Sequence, residues 1–304
     1  MAVSASIHKT GILFALLAAV GFSFKAILAK LAYRYHIDAE TLLGLRMLMA
    51  LPFYLLMGLF ARRERRGSGA MRALDWLWMA GLGFLGYYLS SYLDFLGLNH
   101  ISSGLERLIL FLYPTMVIVM SAFLLGKAVT KWTMLALILC YLGIGLAVGH
   151  DLGQSENSHE VLIGSALVFA SALAYAFYLI GNGLVVERLG SLQLTAWASS
   201  FACVFSIGQF VVLRPLELLF EQPWQVWAIT SIMVLVSTVA PVWLVSEAIR
   251  RVGASTVSMT STLGPIITIG LGWLILDEHF GWNQLFGAAL VIGGVWVVSR
   301  QKAE

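Results

Sequence analysis

Charge is what this sequence has least of. Asp, Glu, Lys and Arg make up 12% of its 304 residues, against roughly a quarter in an ordinary soluble domain. A chain so poor in charge cannot coat a water-facing surface, which excludes a soluble globular protein. Cysteine is rarer still: Cys140 and Cys203 are too few for a disulfide framework. Both fall inside apolar stretches, where they are expected to pack as small apolar side chains. Long polar connections are also missing. The longest run over 61–75, 150–160 and 214–224, leaving no room for a soluble domain or a cytosolic ATPase.

Reactive signatures are absent too. The chain has no His-Glu-x-x-His, no Gly-x-Ser-x-Gly and no phosphate-binding Gly-x4-Gly-Lys-Ser/Thr. The six histidines, at 8, 36, 100, 150, 159 and 279, lie in tails, loops or helix ends. The expectation is therefore not an enzyme, with no cofactor, no metal and no nucleic-acid partner.

Apolar residues fill the space instead, at 60%, in blocks of spanning length. Ten are read: Thr10–Ala32, Thr41–Phe60, Trp76–Leu98, Ser103–Leu125 and Trp132–Gly149, then Val161–Val186, Ser191–Leu213, Gln225–Ile249, Ala254–Leu276 and Trp282–Ser299. The first begins like a signal peptide, with Lys9 before an apolar stretch, but continues past Lys25 to full length and is read as a retained helix. The expected fold is an all-α membrane protein of ten transmembrane helices, and membrane lipid is its first partner.

Positive charge sets the orientation. A cytoplasmic N-terminus puts Lys9, the arginines from Arg62 to Arg72, Lys127, Lys131, Arg188, Arg250, Arg251, Arg300 and Lys302 inside. It leaves only Arg34 and Arg214 outside. Both termini are thus expected in the cytoplasm, and the arginine cluster is read as a topology anchor.

The two halves echo one another at an offset of 151. Pro114 matches Pro265, and Leu112, Ile118, Leu125, Leu139 and Gly143 match Leu263, Ile269, Leu276, Leu290 and Gly294. Five helices per half force the second copy to insert upside down. Two inverted repeats are expected, 1–149 and 160–304, an arrangement that recurs among transporters with a site between the halves.

The residues from Glu247 to Val295 resemble the C-terminal repeat of the EamA-type family of the drug/metabolite transporter superfamily. They carry a small-residue turn at Ala254-Ser255-Thr256, a mid-helix Pro265, the pair Asp277-Glu278 and the glycines 287, 293 and 294 of the last helix. Gly21-Phe22-Ser23-Phe24, Lys30, Arg46 and Pro52 are similar to the family's opening helices. One position departs: Gly126-Lys127 stands where the first repeat is expected to carry Gly-Glu. The resemblance implies an exporter of amino acids or related small solutes across the cytoplasmic (inner) membrane. A channel, receptor or scaffold is the alternative, and a homodimer is admitted.

Ionisable groups at membrane depth are costly and usually face a cavity or a partner. Six lie in the first half: Lys25, Lys30, Arg46, Asp94, Glu106 and Arg107. Helix rise puts Lys25 and Arg46 about 6 Å from the midplane. They are candidates to hold a substrate's anionic group, while Asp94, Glu106 and Arg107 are read as an ion network or a proton-coupling set. For Lys25, Arg46 and Asp94 an internal network and a cavity-facing proton carrier both stay open.

Polar stripes suggest the opposite wall. One holds Tyr87, Ser90, Ser91 and Asp94, another Ser171, Tyr175, Tyr178 and Asn182, and a third Ser255, Ser258 and Thr262. Tyr88, Tyr113, Tyr175, Tyr178, Asn182 and Trp243 complete the substrate-binding candidates. Ala166, Ala170 and Ala174 are expected to permit close helix approach.

Overall fold

The computed structural model describes residues 2–64, 71–126, 129–154 and 157–301. The arginines 65 and 66, Lys127, Glu156 and Lys302 lie outside the described residues, as do the side chains of Ser255 and Ser258. Among the described residues every regular element is a helix. In order these are α1 (Ala2–Tyr33), α2 (Ala39–Glu64), α3 (Ala73–Gly83), α4 (Ser90–Leu98), α5 (Ser103–Leu110), α6 (Tyr113–Leu125) and α7 (Lys131–Gln154). Then follow α8 (Ser158–Leu189), α9 (Ser191–Leu213), α10 (Glu217–Phe220), α11 (Trp224–Val234), α12 (Ala240–Ser261), α13 (Gly264–Leu276) and α14 (Trp282–Gln301).

Seven of the helical stretches are long and apolar enough to cross a membrane, and two shorter apolar helices, Gly264–Leu276 and Trp282–Val297, accompany them. Helices suit hydrocarbon because every backbone N–H and C=O inside the segment is bonded within it. The outward faces carry large apolar side chains, with Phe123 and Trp282 both 86% exposed. In water such a surface would aggregate; against lipid tails it is at home.

Two segments relax into π-helix. Phe84–Leu89 joins α3 to α4, and Leu235–Val239, which begins 151 residues later, joins α11 to α12. Two further breaks share the same offset. Before α6, Leu112 adopts φ −73° and ψ −15°, and before α13, Leu263 adopts φ −74° and ψ −16°. Pro114 and Pro265 sit in the first turn of the helix that follows. Proline has no N–H to donate and its ring clashes with the preceding turn, so the chain stops one helix and starts another there. Both new helices end on a left-handed residue, Gly126 at φ 64° and Asp277 at φ 57°.

One expected boundary is corrected. The block Ala254–Leu276 is not a single helix entered through a turn at 250–253. Helix α12 runs unbroken from Ala240 to Ser261, and the break falls at 262–263. Glu247 helps to carry the helix through, because it pairs with Arg250 at 2.5 Å and Arg251 at 2.6 Å, three and four positions on.

Helix α7 packs against α14 over small residues. A Cβ on Gly143 would stand 2.5 Å from the Gly287 carbonyl oxygen, and one on Gly294 would stand 2.8 Å from that of Ala136. On α8 the expected alanine stripe is displaced: Ala166 is exposed. The close approach is made at Gly164, where an added Cβ would lie 2.9 Å from the Gly97 carbonyl of α4. Cys140 and Cys203 are buried free thiols, set against the Val291 carbonyl and the Met47 sulfur.

Candidate functional site

Helices α4 and α5 meet at a tight connection, and the N-terminal turn of α5 is held from the far half of the chain. Ser102 caps the helix, its hydroxyl accepting from the Leu105 N–H at 3.2 Å. The Ser103 N–H and hydroxyl both donate to the Glu278 carboxylate, at 3.0 and 2.6 Å. A carboxylate is the favoured partner for free N–H groups at a helix start. Glu106 and Arg107 are thereby fixed in the first two turns of α5.

Lys25 of α1 reaches the two buried carboxyl groups. Its ammonium lies 2.5 Å from Asp94 Oδ2 and 3.4 Å from Glu106 Oε1. Asp94 is 2% exposed and Glu106 is fully buried. Asp94 Oδ1 and both oxygens of Glu106 accept no hydrogen bond. Glu106 and Arg107, adjacent in sequence, do not pair with each other among the described residues. The Arg107 guanidinium instead lies against Gly264, where a Cβ would stand 2.7 Å from Nη2.

Arg46 is separate from this triad. It is 7% exposed, its Nε and Nη1 have no acceptor, and its guanidinium carbon stands 5.2 Å from the centre of the Phe95 ring. Asp94 and Phe95 are neighbours on α4, so consecutive side chains serve Lys25 and Arg46.

The two polar stripes face one another. Tyr87 and Tyr178 share a hydrogen bond of 2.9 Å, and the Ser90 and Ser171 hydroxyls one of 3.0 Å. At these two pairs the stripes bond to each other. Tyr113 meets Tyr175 edge-on at 5.2 Å, and Tyr175 lies 5.4 Å from Tyr178. Arg107 is within electrostatic reach of Tyr113 and Tyr175. The structure thus gathers Tyr87, Tyr113, Tyr175 and Tyr178 into one cluster, with Tyr113 and Tyr175 nearest Arg107.

Other candidates fall elsewhere. Trp243 is 55% exposed and packs on Phe14. Tyr88 packs with Phe84, Tyr92 and Phe205 and, among the described residues, not with the Tyr113, Tyr175 and Tyr178 rings. Asn182 is half-buried one turn beyond Tyr178.

Sequence reasoning passed over one grouping altogether. His100, His150 and His279 line a single cavity of about 470 Å³ together with Asp151 and Gln284, which hydrogen-bond to each other. Each histidine taken alone is an ordinary helix-end residue; only the packing of α7 beside the α4–α5 connection and the loop before α14 brings them together. Among the described residues no group of three His, Cys, Asp or Glu side chains could hold a metal ion.

An all-helical chain with several membrane-length apolar helices and a buried ionic cluster is a multi-pass membrane protein. The sequence model of the EamA-like transporter family matches residues 9–149 and again residues 162–300, so the chain belongs to that family. Among its relatives is the uncharacterized transporter YcbK of Bacillus subtilis, 31% identical over 297 residues that span 95% of this chain and 91% of that one. The pseudopaline exporter CntI of Pseudomonas aeruginosa is 25% identical, covering 95% of this chain and 94% of its own. A solved crystal structure superposes with a TM-score of 0.62 at 17% identity, over 97% of this chain and 99% of the other, a likeness of fold.

Proposed function

We propose that the protein is a secondary carrier that exports small polar metabolites bearing an anionic group across the cytoplasmic (inner) membrane by alternating access. Ten membrane passes arranged as two inverted five-helix repeats, both termini cytoplasmic, are part of this reading. Support for the repeats comes from the double family match and from the π segments, proline breaks and left-handed caps that recur at an offset of 151. A relative that exports pseudopaline supports the outward direction.

The observation that carries the substrate class is Arg46. A guanidinium buried to 7% exposure with two nitrogens lacking acceptors is expensive to maintain. A carboxylate or phosphate on the solute would satisfy it with the planar fork that Arg offers and Lys lacks. The tyrosines 113 and 175 supply an amphipathic wall beside Arg107.

A metabolite uptake and efflux panel in proteoliposomes tests the reading. Flux of amino acids or related organic anions is expected, lost in Arg46→Leu at normal membrane insertion and partly kept in Arg46→Lys. Undiminished flux in Arg46→Leu would remove the anion-holding role, and no flux of any solute would remove the carrier.

A further inference from the structure

We propose that Asp94 and Glu106 form a proton-binding site in which a proton takes the place of the Lys25 ammonium on Asp94 when the packing units that carry Lys25 and Asp94 move apart, so that solute flux is driven by a pH gradient. The inference rests on the carrier reading above and gives that carrier its driving ion.

The geometry sets up an exchange of one cation for another. Two buried carboxyl groups share a single ammonium, at 2.5 and 3.4 Å, and three of their four oxygens accept no hydrogen bond. Lys25 belongs to α1, which is anchored to second-half elements: the Ser23 hydroxyl donates to the Gly264 carbonyl at 3.2 Å, and a Cβ on Gly21 would stand 2.5 Å from the Val236 carbonyl. Asp94 belongs to α4, which is anchored to α8 through the Ser90–Ser171 bond and the Gly97–Gly164 approach. The Lys25–Asp94 pair therefore bridges two packing units: α1 with α12 and α13 on one side, joined by α5 through the Ser103–Glu278 bond, and α4 with α8 on the other.

Any rocking that slides these units past each other withdraws Lys25 from Asp94. Asp94 then stays buried beside Glu106 without a counter-ion of its own, which costs several kcal/mol unless the charge is neutralised. The surrounding groups do not replace Lys25 at contact range. Lys30 and Arg107 face Glu106, Tyr33 and Arg46 face Asp94, and Glu278 faces Lys30. Among the described residues only Lys25 is within ion-pair distance of either carboxylate. A proton from bulk water, bonding to one carboxylate oxygen, is the remaining small cation that fits. By linkage, acid then favours the state in which Lys25 is withdrawn, and that state binds the proton more tightly.

Infrared difference spectroscopy of the reconstituted full-length protein, taken between alkaline and mildly acidic buffer, reads the site without any solute. Wild type should gain the C=O stretch of a protonated carboxyl group, and Glu106→Gln should lose at least half of it. Lys25→Met, mimicking withdrawal, should bind the proton about tenfold more tightly or better, equivalent to a titration shifted by one pH unit. If Glu106→Gln does not fold, Asp94→Asn combined with Lys25→Met, which removes charge and counter-charge together, makes the same comparison. Superimposable spectra of wild type and the carboxyl variants, or a Lys25→Met titration equal to wild type, would overturn the proposal. In proteoliposomes a pH gradient should drive accumulation of a transported solute by wild type and not by Glu106→Gln. Failure of the carrier reading looks different, because no solute then moves with or without a gradient.

Discussion

Glu278, just beyond the end of α13, closes on Ser103, the first residue of α5, through the Ser103 N–H at 3.0 Å and hydroxyl at 2.6 Å. The separation of 175 positions makes this a clamp between the two halves. Gly272 makes room for it, since a Cβ there would stand 2.8 Å from both Glu278 Oε2 and Ser103 Oγ. Glu278→Ala should destabilise the protein by about 1–3 kcal/mol, the cost of leaving buried donors unpaired. Glu278→Gln should recover part of that, because the amide keeps one acceptor. Thermal melting in detergent decides it, and an Ala variant that melts like wild type would show the clamp to be idle.

The matching position 151 residues earlier holds Lys127, which has no acceptor to offer a helix start. In keeping with that, α12 has no helix start near 254 to be capped and runs on to Ser261. Gly253→Pro, placed in the interior of α12, should therefore behave as a helix-breaking substitution and cost about 3 kcal/mol. A turn at 250–253 would accept the same proline with little loss, so an unchanged melting temperature would count against the continuous helix.

The Tyr87–Tyr178 bond joins the two polar stripes. A double-mutant cycle with Tyr87→Phe and Tyr178→Phe should give a coupling of roughly 0.5–1.5 kcal/mol in unfolding free energy. Additive effects would mean that each hydroxyl finds another partner.

The α7–α14 crossing has no spare volume. Gly287→Val should cost about 1–3 kcal/mol through overpacking against the Gly143 carbonyl and Ala147. The same change at Gly293, where an added Cβ meets nothing, should be nearly silent. Equal losses at the two glycines would argue against this packing.

Orientation is open to reporter fusions. A reporter after residue 67 and one at the C-terminus should report cytoplasm, and one at Gln154 should report the outside. Matching locations for the first and last of these would sink the inverted topology.

What the sequence disclosed and what it hid follow from range. Spanning helices were legible because each is a local property of some twenty side chains. The breaks at Pro114 and Pro265 were legible as irregularities because proline's effect is also local. The boundary at 250–253 was misplaced because the small residues Gly253 and Ala254 read as a turn, whereas the Glu247 pairs and the lack of a capping partner favour helix. Partnerships of the buried charges were only half legible. A meeting of Lys25 and Asp94 was one of two readings left open, and the nearness of Glu106 and the lack of an ion pair at Arg46 depend on how α1, α2, α4 and α5 rotate against one another. The polar stripes were recognised, yet nothing local says that two stripes will face each other and close.

The π segment Phe84–Leu89 acts as a phase setter for everything that follows it. A π turn holds more residues than an α turn, so the helix beyond it points its side chains as though one residue had been added. Each residue of an α-helix advances the face by about 100°. Deleting one residue here would leave a longer, more regular helix, still apolar and still able to insert. It would also turn the whole of α4, swinging Asp94 off Lys25 and Phe95 off Arg46 in a single step. A length change of one residue would thus unset both buried cations at once.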